Sequence, residues 1–329
     1  MAAAVMTIGN FDGVHVGHRR ILARGRAEAD RRGGRLVAMT FEPHPLSVLR
    51  PHAAPPRLTT AEQRADLRRA AGVDDVITAP ADPALLKLDA DAFVDRVISE
   101  HRPAAFVEGR DFRFGAGRRG DMALLAARGG AAGFDVIAVD PVEVVLSDLL
   151  VATASSSLCR WLLAHGRVLD AAVILGRPFS LTATVVQGEQ RGRTIGFPTT
   201  NLDPAALAAA MLPAEGVYAG TALIAPLSSR ERLAASSQPG EGASPDHATY
   251  SSNRTGPHRE SRDALTPNPS PGGQGEPEAR PAPGDNGDSE VGPHPAAISV
   301  GFKPTFRGRD LVIEAHLPGF DAHVYGRTV

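Results

Sequence analysis

Apolar residues in the first 150 positions follow two alternating patterns. Short apolar runs alternate with longer Ala-, Arg- and Leu-rich stretches in which apolar positions recur with the helical period. The runs predict strands at Ala4–Ile8, Leu36–Phe41, Asp75–Thr78, Ala105–Val107 and Phe134–Val139. The stretches predict helices at about Gly17–Arg31, Ala61–Ala71, Ala90–His101 and Asp121–Arg128. This alternation favours a parallel sheet with helices on both faces, in which ligands bind at the carboxyl ends of the strands.

The pattern changes in the second half of the chain. Two more helices, Ser156–His165 and Val168–Leu175, are predicted to close the first domain. After Gly176 the segments SLTATVVQG, GVYAGTALIA, AAISVGF and LVIEAHL are strand-like, and turns bearing Gly and Pro separate them. A brief helix is predicted after Asp203, with Pro204 at its first position. We therefore expect an α/β protein with a parallel-sheet domain over residues 1–170 and a small β-barrel over residues 171–329.

Residues 226–295 differ from both halves. They hold 12 of the 27 prolines and few large apolar side chains. Ordering a residue costs about 1–2 kcal/mol in backbone entropy alone, which so little apolar area does not offset. We expect a disordered insertion between two strands of the barrel.

Composition removes several classes of function. The net charge of −2 gives no indication of a nucleic-acid or membrane partner. The two lysines, Lys87 and Lys303, do not lie beside glycines in a GxxxxGK[ST] phosphate loop, so that motif is excluded. The single cysteine, Cys159, excludes an internal disulfide and a thiolate zinc site. The sequence shows neither a signal peptide nor a long apolar segment, so we expect a soluble cytoplasmic protein.

The segment GNFDGVHVGH follows the first predicted strand and opens the first predicted helix. A helix N-terminus binds anions, and the imidazoles of His15 and His18, three positions apart, can donate hydrogen bonds to a polyphosphate. The alternative is a helix start with two solvated histidines. His44, between two prolines after the second strand, fits a site or a structural turn equally well.

This segment resembles the nucleotidyltransferase superfamily, and specifically bacterial riboflavin kinase/FAD synthetase. TFEPHP, RLTT, VEGRDFRFGAGRRGD and SSSLCR resemble further motifs of that family's adenylyltransferase domain, in the same order. The resemblance implies a Rossmann-like nucleotidyltransferase domain in which His15 and His18 are catalytic. It implies that the following residues bind nucleotide or phosphate: Gly9, Phe11, Asp12, Gly13, Asp111, Ser156, Ser157 and Arg160.

A second group of polar residues lies in the predicted β domain. Thr199 and Asn201 are two apart, so in an extended segment their oxygens project to one side, an arrangement suited to Mg²⁺ and phosphate. A polar turn is equally consistent with them. In LVIEAHL, Leu311 and Ile313 alternate with Glu314, so Glu314 points out of the apolar core, as a surface charge or towards a cleft.

This half resembles the riboflavin kinase domain of the same family, from LGRPF through GFPTTN and PTF to VYG. The resemblance implies that Thr199 and Asn201 bind Mg²⁺–ATP and that Glu314 is the general base for the riboflavin 5′-hydroxyl. Gly188, Gly192 and Gly196 would flank the phosphate loop. The implied cofactors and substrates are ATP, Mg²⁺, riboflavin and FMN, and the final product is FAD.

Two alternatives to a bifunctional enzyme remain. Family members continue past the YG motif, so the kinase half is expected to be C-terminally incomplete, and an FMN adenylyltransferase with a defective kinase is the first alternative. A non-catalytic flavin- or nucleotide-binding regulator is the second. The presence of His15, His18, Thr199, Asn201 and Glu314 together argues against the regulator, because a pure binder needs no general base.

Overall fold

The computed structural model describes residues 3–188, 199–225, 293–305, 308–318 and 327–329. Within these ranges, no helix has the length and apolar character needed to cross a membrane. The predicted glycines Gly192 and Gly196 lie outside the described residues, as does most of the predicted insertion. The last three positions of the predicted insertion, Pro293–Pro295, are described and form the start of a strand, so the predicted end of the insertion is three residues too late.

The first half is built on a parallel five-stranded sheet. Its strands are β1 (Ala4–Ile8), β2 (Arg35–Glu42), β3 (Asp75–Pro80), β4 (Ala105–Gly109) and β5 (Asp135–Val139). Their order is β3-β2-β1-β4-β5, and every neighbouring pair is parallel. The order reverses between β1 and β4, so the loops after these two strands border the crevice where α/β sheets bind ligands.

Helices cover both faces of this sheet. Their bounds are α1 (Val16–Arg31), α2 (Pro45–Leu49), α3 (Ala61–Ala70), α4 (Pro83–Leu86), α5 (Ala90–His101), α6 (Met122–Ala132), α7 (Ser156–Ala164) and α8 (Val168–Leu175), with 3₁₀ turns at Pro51–Ala53 and Ala116–Arg118. Leu22 of α1 and Leu36 pack on one face, whereas Phe93 of α5 and Phe106 pack on the other. The predicted domain boundary at residue 170 falls inside α8, which packs with α7 in one core.

The second half contains an antiparallel sheet. Its strands are β8 (Val185–Val186), β9 (Thr199–Leu202), β10 (Gly216–Leu223), β11 (Pro293–Thr305) and β12 (Gly308–His316), in the order β10-β11-β12-β9-β8. A separate hairpin joins β6 (Glu143–Val145) and β7 (Val151–Thr153). Residues 327–329 connect the two sheet edges. At one edge, the N–H of Ala183, just before β8, donates to Val329 C=O, and the N–H of Val185, in β8, donates to Arg327 C=O. At the other edge, the N–H of Ala225, just after β10, donates to Thr328 C=O. These bonds support the predicted barrel.

The helix predicted after Asp203 does not form. The Asp203 carboxylate accepts a bond from the Ala205 N–H at 2.9 Å, as a cap would. The following bonds, however, span three residues, as in Leu207 N–H to Pro204 C=O, and the segment is a series of turns. Met211 N–H donates to Arg57 C=O at 2.7 Å, so a tertiary bond ends the segment before a regular helix is established.

Candidate functional site

His15 caps α1 with its own ring. Its Nδ1 accepts bonds from the N–H groups of Gly17 and His18 at 3.2 and 3.4 Å. A neutral imidazole that accepts at Nδ1 carries its proton on Nε2, so the cap fixes Nε2–H as a donor. Burial lowers the pKa of His15 to about 4, against an opposing effect of Asp111, so the ring is neutral near pH 7.

His18 lies against His15. The two rings are stacked with centroids 3.7 Å apart, and Phe11 contacts His18 edge-on at 5.3 Å. Burial and the neighbouring His15 lower the pKa of His18 well below its usual value, so this ring is also neutral. The buried Nδ1 of His18 has no hydrogen-bond partner among the described residues. The structure thus brings together the predicted pair as two neutral imidazoles, which corrects the alternative of solvated histidines.

The first turns of α1 and α7 converge. Ser155 caps α7 by accepting from Leu158 N–H, and the Ser156 hydroxyl donates to Asp12 C=O at 2.8 Å. A Cβ placed on Gly17 would lie 3.5 Å from Ala154 O, so the residue before the α7 cap borders the start of α1. Helix N-termini carry N–H groups without intrahelical acceptors, and two of them side by side favour an anion.

Asp12 makes several contacts within the protein that the sequence did not indicate. Its buried carboxylate accepts bonds from Leu58 N–H at 3.0 Å and from both N–H and hydroxyl of Thr59, and it pairs with Arg160. Each oxygen thereby accepts two bonds from protein groups, and the nucleotide-binding role of Asp12 stays a prediction. Arg160 also donates to Pro56 C=O at 2.7 Å, so it is not a solvated helix charge.

Two glycines of the same loop have packing roles. Gly13 has a φ of +81°, and a Cβ there would lie 2.9 Å from Leu58 Cδ1, so this position requires glycine. Gly9 donates its N–H to Met39 C=O at 2.9 Å, and the Phe11 ring lies against it. The Phe11 ring is buried and supports the His18 ring edge-on, and its predicted nucleotide contact stays a prediction.

The remaining predicted residues of this half border the same edge. Asp111 is exposed in the loop after β4, close enough to His15 to raise the pKa of the imidazole. Ser157 is exposed in the first turn of α7. His44 caps α2 through Nδ1, and its Nε2 lies 3.0 Å from the Asn10 side chain.

The residues predicted for the second site, Thr199, Asn201 and Glu314, lie on one face of the antiparallel sheet. Asn201 of β9 lies directly opposite Glu314 of β12, and Thr199 lies opposite His316. Ile313 and Ala315 are buried while Glu314 is half-buried, which confirms the predicted alternation. A Cβ on Gly188 would lie 2.1 Å from Asn201 Nδ2, so Gly188 leaves room for this amide.

Sequence reasoning missed the residues that hold these groups in place. Leu58 and Thr59 contact Asp12 across 46 and 47 positions, and the RLTT motif gave no sign of that role. Glu108, buried at the end of β4, accepts a bond from Ile8 N–H. Burial raises the pKa of Glu108 well above its usual value, and the bond from Ile8 N–H links β4 to β1 through this side chain.

Comparisons with known proteins agree with this geometry. Residues 1–149 match the protein-family model described as FAD synthetase, and residues 175–329 match the one described as riboflavin kinase. The bifunctional riboflavin kinase/FMN adenylyltransferase of Haemophilus influenzae is 34% identical over 220 residues, covering 67% of this chain and 69% of that protein. The chain belongs to this bifunctional family.

Two further relatives carry the same name. Those of Escherichia coli and Pseudomonas fluorescens are 38% and 40% identical, and each match covers 65% of this chain. The chain spans 66% of the length of these two relatives. A solved structure titled macrolide-efflux protein from Streptococcus pneumoniae has a TM-score of 0.70 at 23% identity, covering 99% of this chain and 83% of that one. This last likeness shows the shared fold.

Proposed function

We propose that this member of the bifunctional riboflavin kinase/FMN adenylyltransferase family phosphorylates riboflavin to FMN and then adenylylates FMN to FAD. The observation that carries the proposal is His15, a neutral imidazole fixed by a helix cap with Nε2–H as its donor, beside β1 where the strand order reverses. The names of the relatives support these substrates. We also propose a cytoplasmic location, because both reactions consume ATP.

In adenylyl transfer, an oxygen of the FMN phosphate attacks the α-phosphorus of ATP, and the bond to the β-phosphate oxygen breaks as pyrophosphate leaves. The phosphate is already a nucleophile at neutral pH, so the protein needs only to align the groups and stabilise the leaving charge. His15 donates Nε2–H to that charge, and His18, stacked on it, borders the same oxygens. The first turns of α1 and α7 attract the phosphates.

In the kinase half, Glu314 accepts the proton of the riboflavin 5′-hydroxyl as the hydroxyl oxygen attacks the γ-phosphorus of ATP. The bond from the γ-phosphorus to the β,γ-bridging oxygen breaks, and ADP leaves. Glu314 and Asn201 are cross-strand neighbours, so the base and the phosphate-binding residues lie on one face. The family's metal is Mg²⁺, which neutralises phosphate charge when it is bound.

The oxygen donors present fit such an ion. The hydroxyl of Thr199 and the amide oxygen of Asn201 are hard ligands on one side of β9, and Mg²⁺ needs few protein ligands when phosphates supply the rest. No cluster of three His, Cys, Asp or Glu side chains occurs in the part of the chain that the structure describes. Thr199 and Asn201 are therefore the residues we assign to the ion.

Flavin separation tests the proposal directly. The protein is incubated with ATP and Mg²⁺, once with riboflavin and once with FMN, and the flavins are resolved by chromatography. FMN and FAD from riboflavin, and FAD from FMN, are the expected products. FAD from FMN alone would favour the adenylyltransferase with a defective kinase, and no product from either flavin would favour the binding regulator.

A further inference from the structure

A pocket that none of the roles above uses lies between the two halves of the chain. Its volume is about 240 Å³. Residues of the segment 57–64 and Glu42 form one wall, and segments 180–182 and 206–210 form the other. Two direct contacts hold the walls together: Arg57 N–H donates to Ala209 C=O at 2.8 Å, and the Gln63 amide donates to the Thr182 hydroxyl at 2.7 Å.

The pocket wall carries more positive than negative charge. Arg57 and Arg64 both line it, and Glu42 is the only carboxylate among its lining residues. Glu42 lies 3.0 Å from Arg57 but 3.9 Å from Arg64. Asp12, whose charge acts on Arg64 more strongly than that of Glu42, is paired with Arg160 and does not line the pocket. Among the residues that line the pocket, one carboxylate therefore faces two guanidinium groups.

Buried guanidinium donors at this wall lack acceptors. Arg64 is 4% exposed, and its Nε has no hydrogen-bond partner among the described residues. The same holds for the buried Nη1 of Arg57. Leaving charged donors unsatisfied in a buried site is costly, so such donors normally have an acceptor. Burial also lowers the pKa of Arg64, as expected for a cation that lacks a close counter-charge.

Other groups on the walls suit a phosphate. Thr60 and Ala61 line the pocket at the start of α3, a ten-residue helix whose positive end faces it. Ser180 and Thr182 add hydroxyl groups from the opposite wall. Arginines bind phosphate through two parallel N–H donors, and hydroxyls complete its coordination. The cavity is larger than a bare phosphate ion, so it has room for an attached carbon skeleton.

We infer that this pocket binds the phosphate group of a small phosphorylated metabolite, with Arg57 and Arg64 as its principal donors. The occupant would contact Leu58 and Thr59, which also hold Asp12 of the adenylyltransferase half. The inference is independent of the proposed kinase and adenylyltransferase roles, since it uses none of their residues.

Calorimetric titration of the full chain with glycerol 3-phosphate, inorganic phosphate and glycerol tests the inference. Both phosphate compounds are expected to bind, whereas glycerol is not. Tighter binding of the ester identifies a metabolite as the source of the phosphate, and equal binding identifies free phosphate. The absence of binding for both phosphate compounds up to about 10 mM would overturn the inference, since that affinity is worth under 3 kcal/mol.

Four variants locate the site. Arg64→Gln should weaken binding at least ~10-fold, the effect of losing a charge-assisted bond. Ala206→Leu fills an exposed position of the wall without removing a charge, so it tests occupancy even if Arg64→Gln destabilises the fold.

Arg69→Gln, on the exposed side of α3, is the matched control and should bind as the parent does. His15→Asn should also bind as the parent does, and loss of binding there would place the anion at the catalytic histidines and overturn the inference. Unchanged binding in both Arg64→Gln and Ala206→Leu would also overturn the inference.

Discussion

At the scale of single residues, His15 combines a structural and a chemical role in one ring. Its Nδ1 satisfies two N–H groups at the start of α1, and this bond fixes the tautomer that presents Nε2–H. The sequence indicated a phosphate-binding pair from its spacing and position after a strand. It did not indicate the stacking or the cap. It did not indicate the neutral state either, because the pKa of His15 depends on burial in the folded chain and on charges far along it, such as Asp111 and Arg160.

Replacement of His15 by Asn separates the two roles. Asn is a good helix cap and keeps an acceptor for the N–H groups, but it lacks the Nε2–H donor. We expect FAD formation from FMN to fall at least ~10²-fold, as when one donor to developing charge is removed. Riboflavin phosphorylation should remain at the parent rate, and His165→Asn, at an exposed position, should change neither rate. Equal loss of both activities in a folded His15→Asn protein would refute separate sites.

The lowered pKa of His15 also predicts how stability depends on pH. The unfolded chain binds the proton near pH 6.5 and the folded chain only near pH 4. Between these two pH values the unfolded state therefore holds more protons than the folded state. The contribution of His15 to the free energy of unfolding is complete above pH 6.5 and is lost as the pH falls towards 4. The loss amounts to at most about 3 kcal/mol. Urea unfolding at pH 7.5 and 4.5 should show a larger loss for the parent than for His15→Asn, and identical losses would contradict the buried neutral ring.

Glu314 provides the corresponding test for the kinase half. Glu314→Gln keeps shape and hydrogen bonding but removes the base, so riboflavin phosphorylation should fall at least ~10²-fold. Riboflavin affinity should change little, because the proton transfer occurs in the transition state. Asp310→Asn, an exposed position on the same strand, is the control. Phosphorylation within a few-fold of the parent would make Glu314 an ordinary strand residue.

At the scale of elements, the bounds of the main strands and helices follow from local pattern, whereas the contacts that unite them do not. The predicted bounds of β1 and α8 equal the observed ones, since both have an unbroken apolar signal. The β6–β7 hairpin was missed because its strands have only three residues each and carry exposed apolar side chains. The helix predicted after Asp203 does not form, because Met211 N–H donates to Arg57 C=O. The local sequence pattern does not indicate this long-range contact.

Asp12 links three elements, and its replacement should therefore affect both fold and site. Asp12→Asn removes the charge that pairs with Arg160 and turns an amide donor towards N–H groups of Leu58 or Thr59. Breaking a buried charge pair typically costs about 3–5 kcal/mol, and we expect the unfolding free energy to fall by about 3 kcal/mol. Asp66→Asn, which breaks the exposed pair with Arg69, should cost less than about 1 kcal/mol. Urea unfolding measures both, and similar small losses would show that the Asp12 bonds are weak.

At the scale of the whole molecule, the sequence predicts two architectures in series, and the structure has both. Strand–helix alternation indicated the parallel sheet, and Gly- and Pro-bearing turns between strands indicated the antiparallel one. The closure by residues 327–329 and the pocket between the halves were not predictable, because both arise from pairing between distant segments. The family resemblance predicted the site residues, and only the three-dimensional contacts show that Asp12 among them accepts bonds from Leu58 and Thr59 and pairs with Arg160.

The pairing of β10 with β11 leads to the last prediction, which concerns residues 226–292. Leu223 lies directly opposite Pro293, so the two strands that flank this segment are already neighbours. Ala225 should be kept because its N–H donates to Thr328 C=O. Joining Ala225 to Pro293 through a turn of about four residues therefore requires no movement of either strand.

We expect this deletion to leave both activities unchanged and to preserve or raise stability. Each halving of a flexible connection is worth about 0.6 kcal/mol, so shortening 67 residues to a turn raises the unfolding free energy by up to about 2 kcal/mol. A variant carrying a Gly/Ser-rich segment of the original length separates the effect of length from that of sequence, and it should unfold as the parent does. Thermal unfolding and the flavin assay compare the three chains. If both altered chains lose stability or kinase activity, the native residues 226–292 contribute contacts that their composition does not indicate.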